Sequence, residues 1–524
     1  MTKPAVRKGL GILSNCQNID ALRRLIVMTI VGRNLRPVLA NEETAADDSL
    51  SALLSRLPTK TLAEVASISK GKTGIKDALP GPFPLVVTAE TRSSSDHFDF
   101  EGPAVMIPMV SSTGHGDASL KRIHFQDGQY AVGSILAVVH PKDSSVLSAR
   151  YLHAYLSAFK DELLVSRMVG TANVSLTVAK IGSVPVPLLP IQGQQEIAEL
   201  MGLCDQLEAE QADAANVHAR LVKTLLGTLT QSTDAGDFAT NWQRLAKHFD
   251  TLFNTEGSID ALKQTVLQLA VMGKLVPQDP NDESANELLK RIGAKRALME
   301  SDGVCKKSKP LPPVNDQERH HSIPASWEYV RLQEVCLTIT DGTHQTPKYT
   351  ESGRPFLSAQ NVKPFRFMPE SFRYVSEEDY QGYVKTTKPE FGDILLTRVG
   401  AMIGEAAVID KRMDFAIYVS LALLKPCQPF VSPEFITLWL NSPFGTHSSI
   451  RDTLGRGVSA GNLNLGMIRA FALPLPPIGE QQRIVSKAHE LMVLCDRLKA
   501  DIADMRNRQA QLATSLIESA LEAA

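Results

Sequence analysis

The chain has only six cysteines in 524 residues. They stand far apart, at Cys16, Cys204, Cys305, Cys336, Cys427 and Cys495, with no Cys-x-x-Cys pair. That spacing argues against a structural zinc and against a secreted disulfide framework. Cys204 and Cys495, at equivalent places in two helices, read as core filler. Long apolar runs are also missing. The longest, around Leu25–Val31 and Ala416–Leu424, fall well short of the roughly 20 residues that cross a bilayer. Lys3, Arg7 and Lys8 precede no sustained apolar stretch and no small-residue cleavage site, so no secretory signal is expected. These absences predict a cytoplasmic chain with no membrane partner. An excess of positive charge is lacking too: 55 Lys and Arg face 57 Asp and Glu, for a net charge of −2. A protein that neutralises phosphates alone usually has a basic surface. Composition therefore permits nucleic-acid binding without showing it.

Catalytic signatures are absent class by class. Gly71-Lys72-Thr73 imitates the end of a phosphate-binding loop, but the glycine required five residues before Gly71 is Ala66. It reads as a loop with basic residues. The Pro-Pro pairs, Pro312-Pro313 and Pro476-Pro477, fall in a linker and an exit segment, not in the Asn/Asp-Pro-Pro-aromatic element of an amino-methyltransferase. No acid/base carboxylate pair and no Ser-His-Asp set stands at recognisable spacing. His320-His321 lie in a polar linker and read as solvent-exposed sequence rather than metal ligands.

What the chain does have, it has twice. Ile19-Asp20-Ala21-Leu22 returns 240 residues later as Ile259-Asp260-Ala261-Leu262, and Val31, Leu35 and Pro37 return as Val271, Leu275 and Pro277. Pro190-Ile191-Gln192-Gly193-Gln194-Gln195-Glu196-Ile197 matches Pro477-Ile478-Gly479-Glu480-Gln481-Gln482-Arg483-Ile484. A unit this long, occurring twice, indicates duplicated domains rather than a repeat array. The reading gives a helical preface at 1–57 with helices at 19–33 and 50–57, a mixed globular domain at 58–190 and a long helix at 191–230. A connector with a linker-like stretch at 300–325 fills 231–325, and a second mixed domain at 326–476 precedes a terminal helix at 477–524. Runs such as Phe83–Thr88, Ala104–Val110 and Ile135–Val139 predict strands, and Ala149–Leu164 predicts a helix.

Each long helix carries an apolar stripe. In the first it is Leu200, Leu203, Leu207, Ala214, Val217, Leu221 and Leu225; in the second, Leu491, Leu494, Leu498, Ile502, Met505, Leu512 and Leu516. One helix cannot bury such a seam alone, so the two are expected to pack on each other as a spacer. The alternative is that each covers its own domain.

The remaining candidates are loops rich in groups that contact nucleic acid. Asp341-Gly342-Thr343-His344-Gln345-Thr346-Pro347-Lys348-Tyr349 places hydroxyls, a base, an amide and an aromatic on one turn-forming stretch. Asn and Gln bond adenine bidentately, Arg and Lys bond guanine, and hydroxyls and amides suit phosphate oxygens. The candidate DNA-contacting residues are Lys70, Lys72, Thr73, Ser111, Ser112, Thr113 and His115 in the first domain. In the second they are Thr343, His344, Lys348, Tyr349, Gln360, Asn361, Arg398 and Arg456.

With these elements in this order, the chain resembles the specificity subunits of Type I restriction-modification systems. The resemblance rests on Val184-Pro185-Val186-Pro187 with Gln194-Gln195, Leu473-Pro474-Leu475-Pro476-Pro477-Ile478 with Glu480-Gln481-Gln482, and the segment Leu269–Pro280. Asp341-Gly342-Thr343-His344, Gly392-Asp393-Ile394-Leu395, Arg398-Val399-Gly400 and Asn462-Leu463-Asn464-Leu465 add to it. The first domain offers Asn173-Val174-Ser175-Leu176 as a counterpart near its exit but no Asp-Gly-Thr-His element. The resemblance implies two α/β (α+β) target-recognition domains separated by a long antiparallel coiled-coil-like helix pair. Each domain would read one half of an asymmetric bipartite site in double-stranded DNA. It further implies a chain noncatalytic by itself, docked to two modification (methyltransferase) subunits and to restriction (motor/nuclease) subunits. This chain would bind no cofactor and no metal; those partners would bring S-adenosylmethionine, ATP and Mg²⁺. Two other readings stay open, a specificity part of an atypical nuclease-methyltransferase and a coiled-coil adaptor that never touches DNA.

Overall fold

The computed structural model describes residues 16–35, 50, 54, 58–76, 78–113, 117–170, 174–233, 235–451 and 461–522. The chain divides into two compact units, one of residues 1–217 and 504–524, the other of residues 218–503. The predicted helix at 50–57 lies largely outside the described residues. No helix among the described residues is long and apolar enough to cross a membrane.

In the first unit, Thr59–Thr61 pairs antiparallel with Pro185–Pro187, bringing the start and end of the domain together. Proline has no N–H to donate, which suits this short two-stranded ribbon better than a sheet interior. The main sheet has the order Ala66–Lys70, Leu136–Pro141, Ala104–Pro108, His124–Gln126, all antiparallel. A second sheet is built around Phe83–Val86 and Gln129–Val132, which run parallel. Ala104–Pro108 is buried at every position, as expected of an apolar run packed on both faces. The helix Ala149–Ala158 covers the main sheet, and the predicted single helix to Leu164 breaks at Phe159 before a short turn, Lys160–Leu163.

The second unit repeats this plan. Glu328–Arg331 pairs with Ala472–Leu475, and the main sheet runs Cys336–Asp341, Leu421–Pro426, Ile394–Thr397, Ala406–Val408. The second sheet again has one parallel pairing, Phe356 with Ala416. Helix Pro433–Asn441 packs where Ala149–Ala158 does in the first unit, and its own Trp439 is fully buried.

Two glutamines explain the repeated exit motif. Gln194 Oε1 accepts the Ser148 N–H at 2.8 Å, and its Nε2 donates to the carbonyls of Val146 and Leu189, both at 2.8 Å. Gln481 does the same for the N–H of Ser432 and the carbonyl of Pro476, both at 2.9 Å. Ser148 and Ser432 are the N-caps of the two domain helices. Each side chain therefore ties the first turn of a long helix to the start of a domain helix and satisfies buried backbone groups.

The opener helices dock on the long helices through equivalent ion pairs. Arg23 meets Asp205 and Glu208, each at 2.7 Å, and Lys263, its equivalent, meets Asp496. Around the first pair, Ile19, Leu22 and Ile26 share a core with Leu200, Met201 and Cys204. Within the second unit, Val222, Leu226 and Leu229 of helix Ile191–Gln231 form one cluster with Cys495 and Ile502 of helix Ile478–Glu522 and Leu262 of the opener. The two long helices thus share a seam there, but not wholly along the expected stripe. Val217 and Leu221 are 64% and 48% exposed, as are Leu494, Met505 and Leu512 to similar degrees. A straight helix drifts about 20° per heptad from a 3.5-residue stripe. After three heptads the buried row has moved one residue on, from Leu221 and Leu225 to Val222 and Leu226.

The stretch read as a linker at 300–325 is bound to the second unit. Arg331, 5% exposed, donates to the carbonyls of Pro312 (2.9 Å) and Pro313 (3.1 Å) and pairs with Glu318 (2.7 Å). The solvent-exposed reading of His320-His321 is corrected here: both rings are half-buried against Phe444, and His321 also packs on Tyr329. The aromatic contacts, invisible from local polarity, shield part of each ring from water. The segment Leu269–Pro280 folds onto the second long helix, where buried Glu480 accepts from Trp327 Nε1 at 2.9 Å and from Gln278.

Three half-buried or buried histidines make the first unit sensitive to acid. Burial, then the charge of Arg92 at 3.2 Å, pushes His124 down to about 4; burial also lowers His140 and His153. Folded His124 stays neutral while the unfolded residue takes up a proton below about pH 6.5. Its contribution is therefore intact above pH 6.5 and lost as pH falls towards 4, a change on the order of 3 kcal/mol. Hydrogen-exchange protection of strands 104–108 and 136–141 is expected to fall between pH 7 and 5 in the wild type. In His124→Phe it should fall much less, and an equal fall would contradict the assignment.

Candidate nucleic-acid interface

In the second domain the site begins at Gly342, where the chain leaves strand Cys336–Asp341 so close to its neighbour that a Cβ would lie 2.1 Å from the Ile417 carbonyl oxygen. Only glycine fits such an approach. Thr343 then bridges to Tyr418, its N–H donating to Ile417 O at 3.0 Å. Behind this turn stands Arg398, 5% exposed. Its Nε donates to Leu463 O (3.0 Å), Nη1 to Asp341 Oδ2 (2.6 Å) and Val419 O (3.2 Å), and Nη2 to Asn462 Oδ1 (3.2 Å). One guanidinium thus ties three segments, at 341, 419 and 462–463, to its own at one end of the main sheet. His344, with a side chain 70% exposed, stands in front with Nε2 3.1 Å from the same Asp341 oxygen.

The first domain has this frame with other side chains. Gly71 is its Gly342: a Cβ there would lie 2.2 Å from Gly133 O. Thr73 is its Thr343, bridging Gly133 with its N–H on Val132 O at 3.0 Å. The counterpart of the Asp-Gly-Thr element, unrecognised in the sequence, is thus Lys70-Gly71-Lys72-Thr73, with one residue inserted. Main-chain pairing makes Met109 the equivalent of Arg398, since Leu176 N donates to Met109 O as Leu463 N does to Arg398 O. Ser175, bridging Val110, answers Asn462, bridging Val399, two residues away from the expected match at Asn173. A buried Arg–Asp pair in one domain is therefore replaced by half-buried Met109 and exposed Lys70 in the other.

The remaining candidates divide sharply. Exposed and able to meet a ligand are Lys70, Lys72, Lys348, Tyr349 and Gln360; Lys72 Nζ sits 5.1 Å over the Phe100 ring, and Arg373 lies 4.6 Å over Tyr349. Thr343 Oγ1 accepts from the Gln345 N–H at 3.2 Å. Ser111 and Thr113 donate to Asp117 O, and Ser112 accepts from Lys121 N, so these hydroxyls shape their own loop. Thr73, 5% exposed, donates to Asp99 at 2.6 Å. The base-reading expectation for Asn361 is corrected: it is 1% exposed, and its amide holds Ser358 N (2.9 Å), Met368 O (2.9 Å) and Ser371 O (2.6 Å), leaving nothing for a base edge. Arg398 is likewise spent on the frame rather than held out to guanine. His115 and Arg456 lie outside the described residues. Sequence reading missed Asn462 as a partner of Arg398, and also Asp99 and Phe365, whose surroundings come from distant segments.

Among the described residues no group of three or more His, Cys, Asp or Glu is arranged to hold a metal ion. The sequence model of the Type I restriction modification DNA specificity domain matches residues 324–503. The specificity subunit of Type I restriction enzyme EcoAI from Escherichia coli is 37% identical over 348 residues, 64% of this chain and 58% of that protein. The specificity subunit of EcoEI from the same organism is 35% identical over 354 residues, with the same coverage. The chain thus spans less than two thirds of the length of these relatives. A more distant likeness joins it to the HsdS subunit of Thermoanaerobacter tengcongensis, at 16% identity and a TM-score of 0.37, covering 88% of this chain and 96% of that one. The second domain is thus similar to the Type I DNA specificity domain, and about two thirds of the chain's length aligns at 35–37% identity with specificity subunits of Type I restriction enzymes.

Proposed function

We propose that this chain is the sequence-reading subunit of a Type I restriction-modification complex in the cytoplasm. Each of its two domains reads one half of a bipartite, asymmetric site in double-stranded DNA. The long helices set the spacing and dock two methyltransferase subunits, which bring S-adenosylmethionine; restriction subunits bring ATP, Mg²⁺ and cleavage. The chain itself performs no chemistry. The observation that carries this reading is the repeated frame with unlike side chains: glycine turn and threonine bridge in both domains, but Arg398–Asp341 in one and Met109 with Lys70 in the other. Two sites with one scaffold and different functional groups suit two different half-sites. The near-zero net charge fits a subunit whose partners supply part of the phosphate clamp.

The test is an exchange of residues 62–189 for those of a relative, with long-read mapping of methylated adenines in cells that express the whole system. One half of the methylated site is expected to change and the other to stay; an unaltered site would remove the assignment.

A further inference from the structure

The hairpin Val362–Lys363 and Arg366–Phe367 turns through only two residues, Pro364 and Phe365. Phe365 has φ 63°, the one positive φ outside glycine among the described residues. A proline followed by a left-handed residue is the pattern of a type II turn, whose second position normally takes Gly or Asn. A bulky side chain there is a conformational outlier and persists only where the surroundings enforce it. Here they do. The Phe365 N–H donates to Ala406 O at 3.0 Å. Below the tip, Val362 and Phe367 are buried, with Phe367 packed 5.6 Å from Phe415. The saturated amide of Asn361 braces the base of the hairpin through Met368 and Ser371.

All this order presents a ring to solvent. Phe365 is 42% exposed and stacks on no other aromatic among the described residues. Two cations flank it: Arg366, exposed, and Lys363, half-buried and 3.5 Å from Glu405. The tip also lies beside the frame described above. Its anchor, Ala406, begins the strand after the turn that carries Arg398, and the helical turn leading into the hairpin is held by Ala359 N on Ser420 Oγ (3.1 Å), the residue whose carbonyl receives the Arg398 N–H (2.9 Å).

We propose that Phe365 is a wedge that inserts against a base step of DNA bound by the second domain, with Lys363 and Arg366 on the neighbouring phosphates. Apolar wedges on rigid supports unstack base steps and gain contact with the bent duplex, and stacking of a base on an aromatic ring gives a large share of the affinity at such a step. The inference rests on the reading that this domain binds DNA. It adds a contact that neither the motifs nor the frame assigns.

The complex of this chain with its modification subunits is titrated with duplexes carrying the mapped site and 2-aminopurine at successive positions in and beside the second half-site. Wild type is expected to raise the fluorescence of one step. Phe365→Gly should lose that rise and bind about tenfold more weakly or worse, while its thermal midpoint stays equal or rises because glycine relieves the left-handed strain. Phe365→Trp should keep both signals. The wedge is overturned if wild type raises no step, if Phe365→Gly binds as wild type does, or if Phe365→Gly loses affinity only together with folding stability. A separate exchange of residues 326–476 for a relative's domain tests the underlying reading: an unchanged methylated site would sink that reading, whatever the Phe365 variants do.

Discussion

Arg398→Met is expected to destabilise the second unit by about 3–5 kcal/mol, because it leaves the buried Asp341 carboxylate without its cation. The pair is 2.6 Å apart with side chains 6% and 14% exposed, so solvent offers little compensation. The variant also strands acceptors at Leu463, Val419 and Asn462. All three tryptophans, Trp242, Trp327 and Trp439, belong to residues 218–503, so urea unfolding followed by tryptophan fluorescence reports on this unit. Adding Asp341→Lys reproduces the first domain's combination of lysine and methionine and should recover much of the loss, since the unpaired carboxylate is gone. A single variant within about 1 kcal/mol of wild type would show that the guanidinium does not organise these segments. In the assembled complex, the single variant is expected to blur only the half-site read by the second domain.

Gln481→Leu should cost about 2–4 kcal/mol by the same probe. Leucine fills the space but leaves the N–H of Ser432 and the carbonyl of Pro476 buried without partners, at about 1–3 kcal/mol each. Gln194→Leu should cost somewhat more, because three backbone groups lose their partner instead of two. Hydrogen exchange of the helix at 433–441 reads the Gln481 variant and of the helix at 149–158 the Gln194 variant. If neither helix loses protection, the repeated glutamine has a role other than holding the junction of domain and long helix.

These residues show what could be read in advance. The repeated Pro-Ile-x-x-Gln-Gln motif was visible as a motif because short-range spacing survives in one dimension. Its task was not, because the serine N–H groups that Gln194 and Gln481 accept from lie 46 and 49 residues away. Asn361 looked like a base reader because its chemistry suits adenine; burial turned the same amide inward to brace a hairpin. The heptad stripe placed apolar residues correctly as a class but let their phase slip, since a repeat counted along the sequence does not include the drift of a straight helix. Lys70-Gly71-Lys72-Thr73 escaped recognition because one inserted residue and a change from acid to base hide it, whereas backbone hydrogen bonding is indifferent to both.

The sequence by itself determined the duplication, the two mixed domains, the long helices and the resemblance to Type I specificity subunits. All of these rest on local periodicity, proline and glycine placement, and motifs a few residues long. The tertiary structure alone decided which polar groups are free to meet a ligand and which are consumed in holding the frame. The physical reason is that burial and hydrogen-bond satisfaction are properties of surroundings assembled from distant segments: Arg398 is fixed by residues 57 to 65 positions away in sequence, as well as by its nearer neighbour Val419. Phe365 shows the converse, an apolar side chain that composition would place in a core and that the fold holds at a strained, exposed tip.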